Sequence, residues 1–251
     1  WFTFGDSYTA TSFNYTSTQP SAANPIGNPP FPGNTICGVV PNWLDYTIAT
    51  YNTSVQFAYN FASAGATINS SLVPTYWPWI VPVVQQVDQF QQSYTTQAQW
   101  TSEDSIFSMW IGINDIGDSF GLNSSRTAFN DELLASYFTQ VTRLYASGAR
   151  KFVFFNIPPI DRSPLMVAEG VSDVVNPIVD DYNTKLAQLV SNWTTAHAGV
   201  RVWTVDTHDL LTKILDDPSS YGFEDGTTFR DGSGVVWCTS QYWATVLEVC
   251  L

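Results

Sequence analysis

The chain has 251 residues, the length of one α/β domain, and 44% of them are hydrophobic, enough to fill a sizeable core. Only 12% are charged, and 22 acidic against 9 basic side chains give a net charge of −13. That balance excludes a nucleic-acid partner, because no Lys/Arg patch exists to neutralise phosphates, and it opposes adsorption to anionic membranes. No apolar run approaches the ~20 residues of a membrane span.

Residues 2–5 read as a short strand already under way at the first residue, which implies a leader removed before it. Residues 16–41, rich in Pro, Asn, Gly and Ser, read as a long irregular loop. Leu44, Ile48 and Tyr51 share a helical face, residues 55–61 alternate like a strand, and Val83, Val84, Val87 and Phe90 return to helical spacing. Residues 106–113 form a compact apolar run, read as a buried strand. The clearest helix covers 131–147, where Leu133, Leu134, Tyr137, Phe138, Val141, Leu144 and Tyr145 make one stripe and Gly148 terminates it. Residues 151–157 read as a strand closed by Pro158-Pro159. A helical pattern runs over 174–193, with Pro177 in its first turn or kinking it, and 200–205 is the last strand.

Strands alternating with helices predict a single domain over residues 1–251, a three-layer α/β/α sandwich around a mostly parallel five-stranded sheet of flavodoxin-like winding. In such sheets ligands bind beyond the carboxyl ends of the strands. Chemistry is therefore sought just after each strand.

After the first strand stands Gly5-Asp6-Ser7-Tyr8. A Ser at a strand-to-helix turn exposes its hydroxyl and aims its own N–H at the same space, so one residue supplies a nucleophile and an oxyanion donor. Asp6 and Ser7 equally suit a helix N-cap. After the second strand, Asn60-Phe61-Ala62-Ser63-Ala64-Gly65-Ala66-Thr67 is a small-residue run that lets a backbone N–H approach a ligand closely, or simply makes a tight turn. After the third, Asn114 in Gly112-Ile113-Asn114-Asp115 can turn its side-chain NH₂ on a developing oxyanion, or close an Asx turn.

The order, spacing and placement of these segments resemble the GDSL (SGNH) hydrolases, over nearly the whole chain from Phe2 to about Phe223. Residues 152–159 and Asp206-Thr207-His208 look like further recurring segments of fungal members, nearest to the secreted carbohydrate acetyl esterases. The resemblance implies Ser7 as nucleophile and an oxyanion hole of the Ser7 and Gly65 N–H groups with the Asn114 side chain. It implies a serine esterase removing small acyl groups, above all acetyl, from plant cell-wall-derived sugars, without a cofactor. A lipid-type esterase is the alternative on the same fold, although no long apolar surface helix offers itself as a lid.

The sequence departs from the family at the base. The family's Asp-x-x-His precedes a final helix, whereas neither His197 nor His208 has Asp three residues earlier, and the expected place holds Ser240-Gln241-Tyr242-Trp243. Three readings stand: a truncated or altered C-terminal end, His208 serving with Asp206 or Asp209, or a degenerate relative that binds sugars without turnover. The apolar pattern Leu210, Leu211, Ile214, Leu215 predicts that His208 opens a helix away from Ser7, leaving the base to the segment around Ser240–Trp243. His197, at a helix exit, reads as structural.

The aromatic-rich loops with Phe13, Tyr15, Phe31, Trp43, Tyr76, Trp77 and Trp79 could supply stacking platforms for sugar rings, although most read as loop or core packing. Phe13, Tyr15 and Phe31, near the nucleophile in sequence, are the better candidates for substrate contact. Five sequons, at Asn14, Asn52, Asn69, Asn123 and Asn192, together with the acidic composition, predict a secreted, extracellular glycoprotein. Cys37, Cys238 and Cys250 leave an odd thiol, and their pairing is open. Neither Cys-x-x-Cys nor a His cluster occurs, so no metal site is expected. The expected partner is an acylated sugar or small ester, bound by a monomer.

Overall fold

The computed structural model describes residues 1–38, 40–94, 100–122, 125–229 and 235–237. Strand β1 (Phe2–Gly5) leads into a long loop, a short helix α1 (Trp43–Asp45) continued by a π-helical turn (Tyr46–Thr50), and strand β2 (Tyr59–Asn60). Helix α2 (Val83–Tyr94), strand β3 (Phe107–Trp110) and helix α3 (Ile113–Gly117) follow. Next come α4 (Arg126–Ala146), β4 (Lys151–Phe155), α5 (Pro164–Glu169), α6 (Ser172–Ala196), β5 (Arg201–Val205) and α7 (Thr207–Asp216). A short pair, β6 (Asp225–Phe229) and β7 (Val235–Trp237), lies apart from the main sheet.

The main sheet is five-stranded and parallel, in the order β2-β1-β3-β4-β5, as the alternation of strands and helices predicts. Its central strands have no solvent-facing side, and their polar side chains, Thr3 and Ser108, are buried and hydrogen-bonded to Asn60 and Trp1. Every residue of β1 and β3 is buried, as a parallel sheet covered on both sides requires. Rings from successive strands stack through the sheet's interior, Phe2 on Phe107 with centroids 5.0 Å apart and Trp110 on Phe155 at 4.9 Å. Burying each such ring is worth roughly 2–3 kcal/mol.

The helix stripe read from 131–147 is the buried face of α4, and Leu133, Leu134, Tyr137, Val141 and Leu144 all reach the core. The helix begins five residues earlier than the stripe, because Ser125 caps it by accepting from the Ala128 N–H at 3.4 Å. In α6, Pro177 is the sixth residue rather than part of the first turn.

Two readings change. The alternating stretch 55–61 contributes only Tyr59–Asn60 to the sheet. Val55 is exposed, and the Ala58 N–H pairs with Pro25 O at 2.9 Å, so the preceding loop takes the partner a longer strand would have used. Strand β5 is half exposed, in contrast to the covered sheet expected, and Trp203 stands in solvent.

Gly112 joins β3 to α3 at φ 123°, and a Cβ there would lie 2.6 Å from the Tyr182 Oη, whose hydroxyl donates to Ile111 O. The glycine lets α6 close on the end of β3. Gly112→Ala should therefore lose about 2–4 kcal/mol from strain and overpacking together. The check is the urea midpoint, which should fall at constant slope; an unmoved midpoint would mean that Tyr182 yields freely.

Candidate active site

Because β2 and β3 flank β1, the chain leaves the sheet in opposite directions after β1 and β3, and a crevice opens between their carboxyl ends. Ser7 follows β1 and Asn114 follows β3 at that point. Asp6 O accepts from the Thr9 and Ala10 N–H groups at 3.1 and 2.9 Å, and its carboxylate accepts from the Tyr8 N–H at 3.0 Å, folding 6–10 into a tight turn. Ser7 sits in this turn, buried, and its Oγ has no hydrogen-bond partner among the described residues. The far side of the turn is pinned at Thr9, whose carbonyl accepts from the Asn60 and Asn42 side chains and whose Oγ1 accepts from the Trp43 indole at 3.1 Å.

The loop after β2 is held from both sides. Asn114 Nδ2 donates to Ala66 O at 2.8 Å, and both Asp115 carboxylate oxygens accept from the Ile68 N–H, at 3.0 and 3.1 Å. Gly65 has φ 79°, and the Ile80 side chain lies where its Cβ would be, at 2.7 Å, so only glycine allows this approach. The Ser63 N–H donates to Gly5 O at 3.1 Å, fastening the loop to the base of the Ser7 turn. The three predicted segments thus meet at adjacent strand ends.

Gln86 completes the arrangement. Fully buried on α2, it accepts from the Gly5 N–H at 2.9 Å and donates to Gly5 O and Val81 O, each at 2.8 Å. Among the described residues no cation pairs with the buried carboxyls of Asp6 and Asp115. Burial pushes Asp6 up to about 7 against the Tyr8 hydrogen bond, and Asp115 up to about 8 against those from Ile68, with Asp6 adding repulsion.

The doubtful base candidates lie elsewhere. His208 is in the first turn of α7, as its flanking apolar pattern predicts, at the end of β5. From β1 to β5 is three strand spacings, ~14 Å. His208 Nε2 has no hydrogen-bond partner among the described residues, and the ring lies near enough to Asp161 and Asp206 to act on both carboxyls. Asp206 caps α7, accepting from the Asp209 N–H and from Asn156; burial alone would raise its pKa, but these bonds and His208 hold it below the usual value. His197 Nδ1 meets Trp193 O at 2.7 Å, and its ring stacks on Trp193 at 4.2 Å, a packing role. A cavity of about 340 Å³ opens between α6 and the β4–β5 ends, lined by Phe154, Asn183 and Asp206 among others; Ser7, Gly65 and Asn114 are not in its wall.

Phe13 and Tyr15 are half-buried against Phe61, which precedes the Gly65 loop, while Phe31 is exposed. Among the sequons, Asn14 and Asn192 are exposed, Asn52 and Asn69 are half-buried with their amides donating to Ser54 and Ser136, and Asn123 lies outside the described residues. Cys37 is disulfide-bonded. Cys238, Cys250 and the segment 240–243 lie outside the described residues.

Sequence reasoning missed Gln86, Asn60 and Asp115. Gln86 carried a signal, since a polar residue three after Val83 and four before Phe90 falls on the apolar face of its helix.

A parallel sheet between helices, with a buried serine that has no hydrogen-bond partner among the described residues at its switch point, makes an α/β domain with a candidate nucleophile. A family model described as GDSL-like Lipase/Acylhydrolase matches residues 2–237, and the chain belongs to that family. A protein of Thermothelomyces thermophilus named Acetylesterase is 37% identical over 94% of this chain and 80% of its own. GDSL esterase/lipase 3 of Arabidopsis thaliana is 28% identical over 93% of this chain and 71% of its own. A crystal structure of a lipolytic G-D-S-L family protein from Veillonella parvula shares the fold, with a TM-score of 0.50 at 12% identity, covering 88% of this chain and 84% of that one. The protein is a carboxylic ester hydrolase.

The buried carboxyls set a pH dependence. A carboxyl whose folded pKa is raised binds more protons folded than unfolded, so stability is fully present below the unfolded value, 3.8, and is lost as pH rises toward about 7 for Asp6 and about 8 for Asp115. Asp115→Asn, which keeps an acceptor for the Ile68 N–H, should flatten the fall in melting temperature between pH 4 and 8. A decline as steep as that of the parent would assign the effect to other groups.

Proposed function

We propose that the protein hydrolyses small acyl esters, acetyl above all, on plant cell-wall-derived carbohydrates, through an acyl-enzyme on Ser7. The observation that carries this reading is the meeting of the Ser7 turn, the Gly65 loop and Asn114 at adjacent strand ends, where the Ser7 hydroxyl has no hydrogen-bond partner among the described residues. Ser7 Oγ adds to the ester carbonyl, and the proton it loses passes to the sugar oxygen that departs as the adduct collapses. The oxyanion rests on the Ser7 and Gly65 N–H groups and the Asn114 amide, whose second N–H is free once the first is spent on Ala66 O. Collapse expels the sugar alcohol, and water then releases the acid and restores Ser7.

The fungal relative's name supports the acetyl specificity. The Cys37 disulfide supports an oxidising compartment and hence secretion, and the exposed Asn14 and Asn192 could carry glycans. No described residue accepts the Ser7 proton, and that observation favours a second reading, a relative that binds acylated sugars without turning them over.

Hydrolysis of 4-nitrophenyl acetate separates the two. On the first reading Ser7→Ala abolishes turnover, and a fluorophosphonate labels the parent once, at Ser7. Asn114→Ala should lower kcat by about 10²–10³ with KM little changed. An unaltered kcat would reduce Asn114 to holding Ala66, and a parent that neither turns over nor takes the label would favour the binder.

A further inference from the structure

Between Asp45 and Asp88 the chain carries no charged residue, and within that stretch lies an exposed aromatic turn. Tyr76 is 78% exposed, Trp77 49% and Trp79 70%. Trp77 and Trp79 stack with centroids 4.9 Å apart and planes 7° from parallel, and Tyr76 stands edge-on to Trp77 at 5.0 Å. Rings packed in this way are fixed in orientation before anything binds. Pro74, Pro78 and Pro82 stiffen the segment, and the Ile80 N–H closes it on Trp77 O at 3.1 Å. Exposed aromatic rings packed together on a charge-poor loop are the mark of an interaction site.

The turn is attached to the reacting loops and not merely near them in sequence. Ile80 fills the space over Gly65, the Val81 N–H donates to Ser63 Oγ at 3.2 Å, and Val81 O accepts from the same Gln86 amide that grips Gly5. Trp79 is thus one Cα step, about 3.8 Å, from the residue that closes on the Gly65 loop.

The rings' polar groups narrow the partner. Indoles in the core spend their N–H inside the protein, Trp43 on Thr9, Trp110 on Asn156 O and Trp193 on Thr142, and of the described indoles only the exposed Trp203 shares the unspent N–H of this turn. Among the described residues, Trp77 and Trp79 donate theirs to no other group of the chain. A partner should therefore offer a flat C–H face to an electron-rich ring and hydroxyl oxygens to the ring's edge, with no charge of its own. A pyranose meets all three conditions. A hydrocarbon tail leaves the N–H groups unused, and an anionic polymer meets a protein of net charge −13.

We propose that Tyr76, Trp77 and Trp79 form a stacking subsite for a neutral pyranose ring on the alcohol side of the scissile ester. Because Ser7 is only 1% exposed, the acyl group enters the enclosed end while the bulky alcohol stays at the surface, beside the rings. This assignment rests on the reading of the chain as an esterase of acylated sugars, but binding at the subsite does not require turnover.

The test uses the whole chain. Titration with xylohexaose and cellohexaose, both neutral and free of ester groups, should quench the intrinsic tryptophan fluorescence. The double variant Trp77→Ala/Trp79→Ala should bind at least ten-fold more weakly with an unchanged circular dichroism spectrum, while Trp79→Phe keeps most of the affinity. On acetylated xylo-oligosaccharide the double variant should raise KM about ten-fold at constant kcat. The subsite is overturned if neither oligosaccharide binds, if the double variant binds as the parent does, or if phosphatidylcholine vesicles and not sugars engage these rings. Aryl acetate hydrolysis that persists in Ser7→Ala would instead sink the esterase reading and leave the sugar titration to decide the subsite by itself.

Discussion

A side-chain amide stands where a strand is missing. Strand β2 leaves the sheet after Asn60, too early to give the Gly5 N–H a carbonyl, and Gln86 supplies Oε1 in its place while returning an N–H to Gly5 O. A buried amide without partners would cost several kcal/mol, and Gln86 avoids that only if Gly5 and Val81 both stay where they are. The consequence is geometric. Because the Gln86 amide completes the edge of β1, the backbone after β2 is released to cross the strand ends as the Gly65 loop, and the Ser7 turn begins from a fixed point two residues on.

The opposite side of the site is held by a second polar clamp. Asn114 and Asp115, from the first turn of α3, grip Ala66 and Ile68. The Gly65 loop therefore hangs between α2 and α3, and neither end can shift without breaking a buried hydrogen bond. Preorganised donors are worth more for catalysis than donors that must be assembled. The electrostatics are consistent with that use. Burial pushes Asp115 up to about 8 against its hydrogen bonds from Ile68, which disfavours a full negative charge on the residue next to Asn114.

Much of this was legible as pattern. Parallel strands buried on both faces announce themselves as short apolar runs, and the stripe of α4 needed only its period. Failures came where a tertiary partner overrode a local signal. Residues 55–61 alternate as a strand should, yet Pro25 took the Ala58 N–H, and no window of sequence contains both. Helix α5, at six residues, offers too few turns for a period to emerge, and β6 with β7 form a pair outside the main sheet.

The site divides along the same line. Ser7, Gly65 and Asn114 could be nominated because each follows a strand, and strand ends can be read one at a time. Gln86 could not be assigned a task, since its partners are 81 residues away at Gly5 and 5 away at Val81, on different elements. The aromatics make the point most sharply. Composition shows ten tryptophans without distinguishing them, and adjacency to Ser7 favoured Phe13, Tyr15 and Phe31, the first two of which also pack on Phe61. What separates a core indole from a surface one is whether the fold supplies a partner for its N–H. That is a property of long-range contacts. Trp43 has Thr9 for a partner and helps to pin the nucleophile's turn, while Trp79, with the same side chain and an equally apolar neighbourhood in sequence, is left facing solvent.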